Sequence, residues 1–163
     1  MNLPDLPDLP DLPDLGAARG PVAPATADGV ADRAAVCELP RLYALGIDRR
    51  DEAMVRSVFA PDAILRGALG EATVDEYVPM LMAGVAPYQA TMHNITNQYA
   101  AVEGDRASVW SYAVALHFEE PGNGRADLHM GVNYQDELAR TDQGWWVTAR
   151  QTTRLWARGP FPR

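Results

Sequence analysis

The chain has 163 residues, 47% of them hydrophobic, and a formal net charge of −8. That length holds one domain with room for a tail, and the acidic balance argues against nucleic acid and anionic membranes as partners. A single cysteine, Cys37, excludes an internal disulfide and a multi-cysteine metal site, and all 14 basic residues are arginines, which removes Schiff-base lysine and P-loop phosphate chemistry.

Residues 3–14 repeat Leu-Pro-Asp four times. Proline at every third position forbids a regular helix, and the isolated leucines build no apolar face. Residues 1–27 therefore read as a disordered or polyproline-like tail. The start has no basic region and no apolar centre, so it does not read as a signal peptide, and no apolar run approaches the roughly 20 residues of a membrane span. Cytoplasmic residence is the simplest reading.

The domain is expected over 28–158, with 159–163 as a short C-terminal tail. Val30, Ala34, Cys37, Leu42, Leu45 and Ile47 suit an amphipathic helix with Asp28 as its N-cap. Pro40 should kink or split it. Asp48-Arg49-Arg50-Asp51 is a polar break, followed by a short helix over about 51–59 that Pro61-Asp62 ends. A short strand over 63–66 comes next, then a helix over 73–82 capped by Thr73 and kinked at Pro79.

After that the pattern turns to β. Strands are expected at about 89–102, 106–119, 126–139 and 145–157. Their connections, 103–105, 121–124 and 141–144, are short and rich in turn residues, which makes an antiparallel meander. Helices first and strands after give an α+β layout, and strands this long must curve. The expected shape is a cone with a pocket inside.

The first of these strands carries Gln89-Ala90-Thr91-Met92-His93-Asn94-Ile95-Thr96-Asn97. Strand alternation puts Thr91, His93, Ile95 and Asn97 on one face. The chain has three histidines, so a site should be built around His93. Imidazole is also often partly buried without any function.

Six stretches, taken together, resemble the SnoaL-like branch of the NTF2-like superfamily. They are Tyr43-x4-Asp48-Arg49-Arg50-Asp51, Phe59-Ala60-Pro61-Asp62-Ala63, Thr91-x-His93-x3-Asn97, Val102-x-Gly104-Asp105-x-Ala107, Tyr134-x-Asp136-Glu137-Leu138-x-Arg140 and Gly144-Trp145. The resemblance implies an NTF2-like cone, a curved antiparallel sheet with helices packed over it, and assembly as a homodimer or homotrimer. It also implies an Asp–His pair, shared by the scytalone dehydratase, dehydrochlorinase and bile-acid dehydratase members, at Asp48 and His93. Tyr43 matches the tyrosine of the bile-acid dehydratase, and Arg150 falls where that enzyme and the dehydrochlorinase place an arginine. His117, allowing one residue of turn-length difference, falls where scytalone dehydratase has a second histidine.

The implied chemistry is acid–base work without cofactor or metal on a small, largely apolar cyclic substrate. His93 would be the general base and Asp48 its orienter, with Tyr43 or His117 donating to the leaving oxygen. Arg150 would offset negative charge, and Asn97 would be a structural hydrogen bonder or a substrate contact. A dehydratase is the first reading and a polyketide or terpenoid cyclase or isomerase the second. The third is non-catalytic: a dioxygenase β-subunit-like or ligand-binding protein.

Overall fold

The computed structural model describes residues 26–160, and the Leu-Pro-Asp repeat and residues 161–163 lie outside them. The chain starts with α1 (Ala27–Arg49) and α2 (Glu52–Arg56), then a hairpin of β1 (Phe59–Gly67) and β2 (Gly70–Thr73). A third helix, α3 (Val74–Val85), leads into the meander β3 (Ala90–Glu103), β4 (Arg106–Phe118), β5 (Leu128–Thr141) and β6 (Gly144–Arg158). One six-stranded sheet has the order β2-β1-β6-β5-β4-β3, antiparallel except where β1 runs parallel to β6.

The start of α1 differs from expectation by two residues. The Thr26 side chain accepts from Gly29 N–H and caps the helix, which places position 28, the expected cap, inside the first turn. The helix also runs unbroken through Pro40, which is fully buried. Packing of α1 against β3 and α2 outweighs the hydrogen bond that proline removes. At α3 the expected cap holds: Glu76 accepts from both the Thr73 N–H and its hydroxyl.

The first strand is longer than the expected 63–66, and the short β2 was not expected at all. Phe59 pairs with Val147 and Ile64 with Ala149, with a register shift between them that takes up Pro61 and Asp62. Proline cannot donate to a ladder, so the strand bends there and resumes.

The sheet bends at further register shifts, between Ile95 and Gln98 on β3 and at two points in the β5–β6 ladder, where Thr148 and Leu155 of β6 are the extra residues. Its inner face carries Ala107, Val109, Ala113, Val132, Tyr134 and Leu138, all buried. These pack with Val36, Tyr43 and Ile47 of α1 and Val78 of α3 into one core.

The end of α1 is fixed by a close approach. A Cβ on Gly46 would come within 2.8 Å of Val55 Cγ2 and 2.9 Å of Val55 N. Only glycine lets α2 turn back this tightly beside the last turn of α1. Gly46→Ala should therefore lower stability by about 1–3 kcal/mol, although alanine favours a helix. Thermal unfolding checks this: an unchanged or raised midpoint would show that the two helices separate freely.

Candidate active site

Asp48 lies in the last turn of α1, where a carboxylate opposes the helix dipole. The compensation comes from β3. That strand is the sheet edge, so every second N–H faces away from β4 and needs another partner. The His93 N–H donates to Asp48 Oδ2 at 2.8 Å, and the His93 ring Nδ1 lies 2.7 Å from Oδ1. The Thr91 hydroxyl donates to the same Oδ1 at 2.9 Å. Burial alone would raise the Asp48 pKa. The hydrogen bonds from His93 and Thr91 and the attraction of His93 outweigh it, so the carboxyl sits below its ordinary value.

An ionised carboxylate only accepts, so Nδ1 is the donor in this contact. The other ring nitrogen, Nε2, is then the basic one. The His93 side chain is 7% exposed. Register sets Ala115 and Met130 beside it, with Ile95 two residues along the strand. The pair thus presents one basic nitrogen on the face that also carries Ala115, Ile95 and His117.

The second histidine is brought close. The His117 ring lies edge-on to His93 with centroids 5.5 Å apart, and against Tyr88 at 4.9 Å. Its Nδ1 is 3.3 Å from the Leu128 carbonyl. Burial first, then the neighbouring His93, pushes its pKa down to about 4, against the pull of the Leu128 carbonyl. At neutral pH His117 is therefore uncharged, with its proton on the nitrogen facing that carbonyl. In that state His117 Nε2 is an acceptor toward a ligand, where the resemblance implies a donor to the leaving oxygen.

Tyr43 and Arg150 form a cluster of their own. Arg150 Nε and Nη2 fork onto Asp136 at 2.6 and 2.7 Å, and both side chains are 1% exposed. Its guanidinium sits 4.2 Å from the Tyr43 ring, 4.6 Å from Tyr134 and 5.2 Å from Phe59. Burial pushes the Tyr43 hydroxyl up to about 12, against the pull of Arg150. Tyr134, level with Ser111 on β4, is four residues along that strand from Ala115, the partner of His93, or about 13 Å. Tyr43 and Arg150, expected as acid and substrate contact, thus sit together in a buried cluster around the Arg150–Asp136 ion pair, and Arg150 and Asp136 also line a cavity of about 250 Å³.

The expected strand face of Asn97 is corrected. The register shift between Ile95 and Gln98 takes it out of the alternation, and it is exposed. It borders a shallow depression of about 260 Å³ with Tyr112, Gly131 and Trp156. Gln98 turns inward in its place and donates to the Cys37 carbonyl and the Ser111 hydroxyl. Thr91 and Arg50 are partners of the pair that the sequence does not single out: both stand in the motifs that carry the family resemblance, Thr91 also shares the strand face of His93, and nothing in the sequence gives either a role.

The SnoaL-like domain family matches residues 28–151. The chain belongs to that family. No curated protein matches it. Among solved structures, the Kfla4162 protein from Kribbella flavida is 24% identical, with a TM-score of 0.72 over 79% of this chain and 94% of that one. A candidate scytalone dehydratase from Novosphingobium aromaticivorans is 19% identical, TM-score 0.72, covering 82% and 91%. A type 2 hexachlorocyclohexane dehydrochlorinase, LinA, is 24% identical, TM-score 0.71, covering 82% and 91%. At these identities the likeness shows the shared cone. Among the described residues no helix is long and apolar enough to cross a membrane.

The depressed pKa of His117 has a consequence for stability. Unfolded, the ring takes up a proton below about 6.5, and folded only below about 4. The unfolded state binds more protons in that window, so the stabilisation is full above it and is lost as pH falls through it. His117→Gln should flatten the fall of the thermal midpoint between about pH 6.5 and 4. An identical pH slope in the variant would mean His117 is freely protonated in the folded protein.

Proposed function

We propose that this SnoaL-like protein is a cofactor-independent lyase, a dehydratase acting on a small, largely apolar cyclic compound. The observation that carries the reading is the 2.7 Å contact between His93 Nδ1 and Asp48, which leaves Nε2 as the base. In this reading Nε2 takes a proton from a carbon next to a carbonyl or ring. The C–H electrons form the new double bond, the C–O bond breaks, and the imidazolium returns its proton to the departing hydroxide as water. Asp48 stabilises the imidazolium while it lasts.

One nitrogen then serves as base and acid in turn, which suits a site where Tyr43 is held in the core and His117 is neutral. His117 Nε2 would accept from a substrate hydroxyl and set its orientation. Ile95, Ala115 and Met130 beside His93 favour an apolar ring. The names of two neighbours, a dehydratase and a dehydrochlorinase, support elimination chemistry on this fold. The proposal keeps the cytoplasm as the setting and a homodimer or homotrimer as the assembly.

The test is steady-state turnover on a panel of small cyclic β-hydroxy ketones, followed by absorbance of the conjugated product, beside far-UV circular dichroism. His93→Ala should abolish water loss in a folded protein. Asp48→Asn should keep the fold and cost on the order of 10²–10⁴-fold in kcat. Full activity in folded His93→Ala would remove the acid–base mechanism.

A further inference from the structure

Arg50 follows α1 in the left-handed region, with φ 59° and ψ 31°, and is the one non-glycine residue at positive φ among those described. Glycine or asparagine is usual at such a helix end, because a side chain costs energy there. An arginine in that place suggests that its side chain has a task. Its Nη1 donates to the Ile47 carbonyl at 2.9 Å and to Thr91 Oγ1 at 2.7 Å, and Nη2 lies 3.4 Å from the Tyr88 carbonyl.

The direction of each bond is forced. A guanidinium only donates, so Thr91 Oγ1 must accept from Arg50. The single hydroxyl proton of Thr91 is then left for Asp48 Oδ1, 2.9 Å away. Asp48, ionised, has no proton to offer Thr91, and the same oxygen also accepts from the His93 Nδ1–H. Thr91 is buried, so water does not readily replace its hydroxyl.

We propose that Arg50 and Thr91 are positioning residues for the Asp48–His93 pair: a one-way relay of donors holds the carboxylate in one orientation and the His93 proton on Nδ1. The inference rests on the reading of that pair as the catalytic one. It assigns the pair a support that begins in the helix cap rather than in the sheet.

The experiment is a long-range ¹H–¹⁵N correlation of the full, ¹⁵N-labelled chain at mildly alkaline pH, which reads the tautomer of each histidine and needs no substrate. Wild type should show His93 with its proton on Nδ1. Thr91→Val keeps the side-chain shape and removes the hydroxyl. With that donor gone the Asp48 carboxylate is free to turn away from Nδ1, which should raise the Nε2–H to Nδ1–H ratio at His93 by about tenfold or more, the size of one lost hydrogen bond to a charged group. Thr91→Ser should restore the wild-type ratio. A folded Thr91→Val protein with the wild-type ratio would overturn the relay. If that variant does not fold, Arg50→Asn, which tolerates the same backbone, is read instead: a shift the same way supports the relay, and a wild-type ratio overturns it. A protein with the predicted tautomers and no turnover on the ketone panel would instead count against the lyase reading.

Discussion

The carboxylate of Asp48 ties the two halves of the cone together. It ends the longest helix and takes two donors from one residue of the edge strand, the backbone N–H and the ring of His93. A carboxylate in the last turn costs the helix, and an edge-strand N–H without a partner costs the sheet. Each defect satisfies the other. The same contact sets which ring nitrogen is basic, so the tie that orients α1 on β3 also defines the chemistry that the site can do.

A second polar contact is buried deeper and does different work. Arg150 and Asp136 are closed inside Tyr43, Phe59 and Tyr134. Burial works against the arginine's charge, but the Asp136 carboxylate holds its pKa above the ordinary value. A charged pair in such a place contributes little net stability beyond what apolar packing would, yet removing one partner strands the other. The cone therefore keeps one charged pair at its core, between register partners on β5 and β6, and one carboxylate–imidazole contact at the end of α1, which faces the site. These are separate devices, although both couple a carboxylate to a nitrogen base.

Much of this was legible in the sequence. The meander, the three helices and the Asp48–His93 pairing follow from periodicity, turn residues and family-like motifs, and the family assignment holds. The departures have physical causes. Phe59 to Asp62 read as the end of a helix because Met54, Val55 and Val58 are spaced for one; pairing with β6 overrides that local preference. Strict alternation put Asn97 beside His93, but a bulge, which has no clear sequence signature, inserts a residue and turns Gln98 inward. Tyr43 and Arg150 sit where the resemblance expects them along the chain, yet nothing in the sequence marks Asp136 as the ion-pair partner of Arg150. The neutral state of His117 depends on its burial and on the Leu128 carbonyl, both properties of the folded chain alone.

The central claim is that Asp48 holds a proton on His93 Nδ1 and so leaves Nε2 free to act as the base. The most direct measurement is the low-field region of the proton spectrum, where an imidazole N–H bonded to a carboxylate resonates apart from ordinary amides and exchanges slowly with water. The account predicts one such resonance assigned to His93 Nδ1–H in the wild-type protein, and its loss in folded Asp48→Asn. A His93 proton found on Nε2, or a low-field resonance that persists unchanged in Asp48→Asn, would contradict it.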